Sequence, residues 1–268
     1  MNVRSSTVLL TGACGGIGRA MAQQLAGNGA ALVISGRNSL LLETFAGELR
    51  ETGASVVAIK ADLARDDACE SLVANAIELA GRIDVLISCA GLQSFGAFAE
   101  ESPQAADAVF ALNTLAPMRL TRAVLPHMQQ RGSGRVVLVG SIFGSIGFPF
   151  FVSYSASKFA LRGFAEALRR ELAGSGVGIT YVAPRFTKTA FNRGAVVRMA
   201  EALRMHQDQP EAVAARVIAL LGRDGRNHYL GWPEKFFVRV NSLLPRLVDG
   251  SLMRQVDKMR PYAAGQGR

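Results

Sequence analysis

A doubly wound α/β fold, with a single parallel sheet flanked by helices, is what this sequence predicts, on three observations. Short runs of Val, Ile and Leu alternate with longer stretches of helical periodicity, the pattern of strands buried on both faces. A glycine-rich turn follows the first run directly. The residues able to carry chemistry fall after strands one to six, and open α/β sheets bind ligands beyond the carboxyl ends of their strands.

The elements are read in order. "TVLLT" at residues 7–11 is the first strand, followed by glycines and a helix to about residue 29. "ALVIS" at 31–35 is the second strand, and 40–51 form a helix. "SVVAIKA" at 55–61 is the third strand, with a helix over 66–80. "IDVLIS" at 83–88 is the fourth strand. Pro103 suits a first helical turn, and helical pattern runs from there to about residue 130, with a kink expected at Pro117. "RVVLVG" at 135–140 is the fifth strand, 154–173 a helix, and "GITYVA" at 178–183 the sixth strand. Crossovers between parallel strands are expected to be right-handed. Beyond residue 192 the pattern is less regular, with helical patches and a short strand near 228–230. The sequence therefore predicts a dinucleotide-binding and catalytic part at 1–192. Residues 193–268 form a mostly helical extension of the same domain, serving as lid, packing or oligomer helices.

The chain has 268 residues, 49% of them hydrophobic and 19% charged, which is enough for one large core and argues against global disorder. Cys14, Cys69 and Cys89 are scattered and odd in number, giving neither a disulfide framework nor zinc spacing. A reducing cytoplasm fits that usage. The N-terminus lacks a signal-peptide core, and no uninterrupted apolar run reaches the roughly 18 residues of a membrane span. Net charge is +9, of which residues 193–268 carry +6 through thirteen basic and seven acidic side chains. The positive charges are dispersed, without a dense basic run, and no motif supports nucleic-acid binding. "FFVRVNSLLPRLV" alternates apolar with basic residues. It reads as a helix packed on the sheet or a partner subunit, with a lid or a membrane-surface helix as the other readings. His127, His206 and His228 are far apart and read as structural or surface residues; no metal site is evident.

"TGACGGIG" sets Gly12, Gly16 and Gly18 directly after the first strand. Glycine permits a tight turn and close approach of phosphate to the backbone, and the helix start that follows offers free N–H groups. The spacing departs from G-x-G-x-x-G, but the place in the first strand–helix unit points to a dinucleotide, and no Lys-Ser/Thr follows as in a P-loop. Where the second strand ends, an acidic residue would bind the ribose hydroxyls of NAD. Gly36 and Arg37 stand there instead, and a guanidinium attracts the 2′-phosphate of NADP. NADP rather than NAD is the expected cofactor.

Tyr154 and Lys158 are four apart and share a helical face. A free phenol titrates near pH 10. A neighbouring ammonium is expected to lower that value and make the tyrosine a proton donor or acceptor near neutrality. Ser141, ending the fifth strand, is placed to hydrogen-bond a substrate oxygen.

Taken together, "TGACGGIG", "ADL" at 61–63, Asn113, Ser141 and "YSASK" resemble the short-chain dehydrogenase/reductase family, over roughly residues 7–191. The resemblance implies a Rossmann-type domain and NAD(P)-linked oxidoreduction of a carbonyl or alcohol. It implies that Ser141 orients the substrate and Tyr154 is the acid/base. Lys158 then tunes the tyrosine and binds the nicotinamide ribose, and Asn113 supports a water-linked proton relay. Gly12, Gly16, Ile17, Gly18, Ala90 and Gly91 lie against the cofactor, with Asp62 at the adenine and Thr189 at the carboxamide. Bland rivals stand beside these roles: Asn113 as a helix kink, Asp62 as a turn cap, Ser141 as a strand end.

Two departures from the family pattern are visible. The usual Asn-Asn-Ala-Gly after strand four is "SCAG" here, Ser88 to Gly91, and the Pro-Gly after strand six is Pro184-Arg185. The first removes two bracing amides; the second sets an arginine beside the nicotinamide pocket, to crowd the loop or meet an anionic group. Phe143, Ile146, Phe148, Phe150, Phe151, Phe186 and Phe191 either line an apolar pocket or pack in a core or subunit contact; as a pocket they imply a hydrophobic ketone, aldehyde or alcohol. An NADP-dependent ketoreductase is the main reading. A reductase of 3-oxoacyl groups on an acidic carrier protein and a non-catalytic NADP-binding sensor are the alternatives. The family resemblance implies a homo-oligomer, dimer or tetramer, through helices such as those at 103–130 and 154–173. Peripheral membrane contact stays open.

Overall fold

The structure, a computed structural model, describes residues 3–222 and 225–265. Residues 1–2, 223–224 and 266–268, which the sequence reading includes in the 1–192 and 193–268 parts, lie outside the described residues. Seven parallel strands form one sheet in the order β3-β2-β1-β4-β5-β6-β7. They are β1 (Thr7–Thr11), β2 (Ala31–Gly36), β3 (Val56–Lys60), β4 (Val85–Ser88), β5 (Gly134–Val139), β6 (Val177–Ala183) and β7 (Asn227–Tyr229). Successive side chains of a strand point to opposite faces. Val8 and Leu10 of β1 accordingly join one core cluster and Leu9 the other, all three fully buried. A sheet covered on both faces needs apolar side chains at every position, and this is why its strands read as unbroken Val/Ile/Leu runs.

Helices α1 (Gly16–Gly27), α2 (Ser39–Glu51) and α8 (Pro210–Ala219) cover the first face. The second face takes α3 (Ala68–Ala80), α5 (Ala116–Gln130) and α6 (Val152–Glu171). Each fully buried Leu, Ile or Phe in these layers contributes about 1.5–3 kcal/mol. The remaining helices are α4 (Pro103–Phe110), α7 (Ala195–Ala202), α9 (Glu234–Leu243) and α10 (Pro245–Ala263). β7 pairs with β6, so the C-terminal extension supplies an edge strand of the same sheet.

The helical run stays continuous through Pro117, and the irregularity expected at this proline lies in the turn just before it. Residues Ala111–Leu115 form a π-helical turn between α4 and α5. Its extra residue turns Asn113 inward to full burial. The predicted helix at 154–173 starts two residues earlier, at Val152.

Register aligns the carboxyl ends of the central strands. Thr11 of β1 pairs with Ser35 and Ser88, and Val139 of β5 with Val182. Strand order reverses between β1 and β4, and the loops leaving those two strands part to either side of a crevice.

Candidate active site

The turn after β1 is built around close backbone approaches. Gly12 has φ +69°, and a Cβ there would stand 2.7 Å from the Ala90 nitrogen. A Cβ on Gly18 would press on the Gly12 carbonyl, and one on Gly16 would come within 2.7 Å of the Thr189 Cβ. Helix α1 begins at Gly16 behind Gly15, with no side-chain cap on its first N–H groups among the described residues. Those groups and the helix dipole suit an anion.

A cavity of about 460 Å³ runs from this turn across the carboxyl edge of the sheet. Gly12, Gly16, Ile17, Gly18 and Arg37 line one end, Ala90 and Gly91 the middle, and Ser141, Tyr154, Lys158 and Thr189 the other end. Its size is in the range of small-ligand sites. Arg37 is exposed and has no ion pair among the described residues, and its neighbour Asn38 is turned away to cap α2 through Leu41 N–H. Asp62 is exposed and accepts from the backbone of Ala64 at 3.3 Å; its neighbours Ala61 and Leu63 line the cavity and it does not. Asn113 lies behind the wall. Its side chain donates to the Leu92 carbonyl and accepts from the Leu92 N–H, both at 2.8 Å, and donates to Ser157 Oγ at 3.1 Å.

Tyr154 and Lys158 are 7% and 4% exposed, one turn apart on α6. The Lys158 ammonium donates to the Val139 carbonyl at 3.2 Å and lies 5.7 Å from the centre of the Tyr154 ring. Ser141 hydrogen-bonds the Tyr154 side chain, and its hydroxyl also accepts from the Phe143 N–H. The expectation that the ammonium lowers the phenol is corrected. Burial pushes Tyr154 up to about 12, against the Ser141 hydrogen bond, and pushes Lys158 down to about 8. Removing both groups from water disfavours the charged form of each.

Several residues escape a reading by motif. Tyr181, fully buried on β6, accepts from the Ser141 N–H at 3.2 Å and donates to the Ser141 carbonyl at 3.1 Å, which sets the serine's backbone. Its phenol occupies the space that a Cβ on Gly140 or Gly144 would need, and the absent side chain at Gly144 also admits the Lys158 carbonyl. At the "SCAG" departure the Thr11 hydroxyl accepts from the N–H groups of Cys89 and Ala90, at 3.3 and 3.4 Å. The Cys89 thiol is pushed up to about 12 by burial and stays neutral beside Lys158. His206, read as structural or surface, lines the cavity. Among the described residues no cluster of His, Cys, Asp and Glu is grouped to hold a metal ion.

The aromatic residues divide. Phe143, Phe151, Phe186 and Phe191 line the cavity, joined by Val196, Met199 and Met205. Phe148 stacks behind Phe143 with ring centres 4.5 Å apart, while Ile146 belongs to the second-face core. Residues 188–207 form a lid over this end, and its two ends are pinned together. The Asp208 N–H donates to the Phe186 carbonyl and the Lys188 N–H to the Asp208 carbonyl, each at 2.9 Å. Gln93, on the loop after β4, donates to Asn192 of the lid at 2.8 Å.

Arg185 explains its own departure from the family pattern. Its guanidinium holds Asp208 through two bonds of 2.8 and 3.1 Å, Glu234 at 3.0 Å and the Trp232 carbonyl at 2.7 Å. The anionic groups it meets are thus the chain's own. One side chain fastens the β6 exit, the base of the lid and the start of α9.

Comparison with known proteins agrees with the geometry. A family model described as "short chain dehydrogenase" matches residues 6–199. The ketoacyl reductase HetN of Nostoc sp. is 40% identical over 180 residues, which are 67% of this chain and 63% of that protein. Dehydrogenase/reductase SDR family member 7B of Bos taurus is 32% identical over 258 residues, 91% of this chain and 79% of that one. In fold, the chain is similar to a crystal structure of a short chain dehydrogenase/reductase from Burkholderia phymatum in complex with NAD. The TM-score is 0.85 at 23% identity, over 92% of this chain and 96% of that one. The chain belongs to the short-chain dehydrogenase/reductase family, and so to the NAD(P)-dependent oxidoreductases.

The arginine bracket has a measurable coupling. Its three side chains retain 12–23% exposure. Asp208→Asn is expected to lower unfolding stability by about 2 kcal/mol, less than the about 3–5 kcal/mol of a fully buried pair. In a urea double-mutant cycle with Arg185→Gly the two losses are non-additive by more than about 0.5 kcal/mol. Additive losses would show that the Arg185–Asp208 pair carries no coupling energy.

Proposed function

We propose that this short-chain dehydrogenase/reductase interconverts a ketone or aldehyde and an alcohol with NADP(H), on an apolar substrate. The observation that carries the reading is one continuous cavity with the glycine turn and Arg37 at one end and the Ser141–Tyr154–Lys158 group at the other. The residues present fit such a cofactor: a turn that a Cβ would obstruct, a free helix start, and an unpaired guanidinium. Gly12, Gly16, Ile17, Gly18, Ala90 and Gly91 would hold its backbone-facing parts, Arg37 the 2′-phosphate, and Lys158 and Thr189 the nicotinamide end. Asp62, turned to its own loop, supports an adenine contact only by its neighbourhood. The Burkholderia phymatum protein is in complex with NAD. Here the residues ending β2 are Ser35, Gly36, Arg37 and Asn38, none of them acidic, and this favours the phosphorylated dinucleotide.

When bound, the nicotinamide supplies a hydride to the carbonyl carbon. Ser141 donates a hydrogen bond to the carbonyl oxygen and fixes its position. Tyr154 gives its phenolic proton to that oxygen as negative charge gathers there, and the C=O becomes CH–OH. Lys158 places a positive charge beside the resulting phenolate. Asn113 holds the loop after β4 against α6 and is a positioning residue in this scheme. The aromatic and methionine lining excludes water and selects an apolar substrate.

A second reading, reduction of a 3-oxoacyl group on an acidic carrier, is favoured by the similarity to a protein named ketoacyl reductase and by the net charge of +9. Turnover of carrier-linked substrate with indifference to free ketones would select it. A non-catalytic NADP sensor is disfavoured by the assembled Ser–Tyr–Lys group. Residues 193–268 are assigned to the same domain as 1–192, which the β6–β7 pairing supports. Exposed Leu115, Met118 and Phe159 on the π-helical turn, α5 and α6 support a homo-oligomer. Free Cys14, Cys69 and Cys89 support a reducing compartment such as the cytoplasm. Among the described residues no helix is long and apolar enough to cross a membrane.

Three measurements test the scheme. A ketone panel run with NADPH and NADH in parallel gives turnover with NADPH, and Tyr154→Phe lowers kcat by about 10²–10⁴ while leaving dinucleotide affinity intact. Cofactor binding without turnover in the parent chain would overturn the enzyme reading. Arg37→Asp weakens NADPH about 10- to 100-fold and spares NADH, the loss expected for a charge-assisted hydrogen bond; equal loss for both would remove Arg37 from the site. Lys158, held down by burial, keeps its proton below about pH 8 and loses it above. For reduction, kcat/KM toward the dinucleotide is therefore level through neutrality and falls as pH rises past about 8. A profile that still climbs there contradicts the role of the ammonium.

A further inference from the structure

Helices α9 and α10 bury one side and leave the other bare. Val238, Val248 and Met259 face inward, each under 9% exposed. Trp232, Phe236, Phe237, Leu243, Leu247 and Met253 are 46–80% exposed. Trp232 and Phe236 stack with ring centres 6.3 Å apart, and Phe237 packs edge-on at 6.0 Å, so the aromatics form one exposed cluster. The helical repeat puts Leu243 two turns from Phe236 on the same side of α9, and Arg254 two turns from Leu247 on α10.

Cations are set among these apolar groups. Lys235, Arg239, Arg246 and Arg254 are exposed and make no ion pair among the described residues. The acids nearby are Glu234, Asp249 and Asp257. Glu234 is held by Arg185 and Asp257 faces Arg260 at 3.8 Å, which leaves Asp249 alone against the four cations. A large apolar patch rimmed by charge marks an interaction surface. Its positive sign selects the occupant. A second copy docked on the same patch about a two-fold axis would bring Lys and Arg against Lys and Arg, which costs free energy. An anionic lipid surface meets the cations with phosphate and takes the aromatic and leucine side chains at its headgroup boundary.

We propose that the exposed face of α9 and α10 docks the protein on an anionic membrane surface, lying on the lipid rather than spanning it. The face begins at the wall of the cavity. The Trp232 carbonyl is bonded to Arg185, and Arg185 and Glu234 both line the cavity. Docking therefore holds the catalytic end beside an apolar phase. That consequence rests on the proposed reduction of apolar carbonyls; the docking itself does not.

The test is flotation of the full chain with phosphatidylcholine vesicles, with and without phosphatidylglycerol. The chain is expected to float with the anionic vesicles, to stay behind with the neutral ones, and to release as salt is raised. Replacing Lys235, Arg239 and Arg246 by Gln weakens partition about fivefold for each cation removed. Phe236→Ser with Leu243→Ser abolishes flotation, while dinucleotide binding and the melting temperature, read in parallel, stay within their usual range for surface changes. If that apolar variant fails to fold, the glutamine set and the salt series decide alone. Equal flotation with both vesicle types, or with neither, overturns the proposal. So does a dimer seen by light scattering that Leu243→Ser dissolves in a chain that ignores vesicles, since a second copy then covers the face. Failure here leaves ketone turnover untouched, so the two readings fall separately.

Discussion

A lysine 4% exposed and still required to carry charge is the constraint around which this site is arranged. Water no longer solvates the ammonium, so the protein supplies the partners. The Val139 carbonyl, at the end of β5, accepts a hydrogen bond from the ammonium at 3.2 Å. A Cβ on Gly91 would come within 3.1 Å of the Asn113 side-chain oxygen, a tight contact, and meet the Nζ atom at an ordinary 3.8 Å. Cys89 stays neutral because its own burial raises it, and so it neither competes for the proton nor closes the space with a strong ion pair. The "SCAG" departure thus keeps the volume behind Lys158 apolar, and the bracing is carried by the Thr11 hydroxyl and by Asn113.

The second constraint is closure. A lid over residues 188–207 must have its ends held at a fixed spacing, or the aromatic lining drifts from Tyr154. Backbone bonds between Phe186, Lys188 and Asp208 fix that spacing, and Arg185 joins them to α9. A glycine, as the family pattern expects there, would have no side chain to make these bonds. The Gln93–Asn192 bond is a single neutral contact on the far side, weaker than the charged bracket at the base. Opening is therefore expected about the base, with Phe191 swinging away from the Tyr154 ring that it now meets at 6.1 Å.

Much of this was legible in the sequence, and the reason is local. Strands buried on both faces must be written as apolar runs, and a turn where backbones touch must be written as glycine; both demands appear within a few residues of the element that makes them. Tyr154, Lys158 and Ser141 were legible because their spacing is fixed by one strand, one turn and one helix. What escaped depends on partners distant along the chain. Tyr181 sets Ser141 from forty residues away, and Arg185 meets Glu234 across forty-nine. The π-helical turn at Ala111–Leu115 carries one mark in the sequence, Pro117 just after it, which signals an irregularity without fixing its form. Asp62 is a motif residue that lies exposed beside the cavity, its side chain accepting one bond from its own turn.

The reversed titration of the central pair bears on the direction of the chemistry. A phenol raised to about 12 holds its proton through neutrality, and a lysine near 8 is still mostly charged there. The resting site is therefore loaded as acid plus cation, the state that receives an oxygen about to become negative. An alkoxide is a stronger base than any phenolate, so proton delivery remains favourable with the tyrosine raised this far. Drawing a proton from an alcohol asks more of the same pair, because the phenolate must first form in a buried site with only Lys158 and Ser141 to stabilise it. The burial that makes Tyr154 a reluctant base makes it a well-held acid, and the apolar lining contributes to that burial.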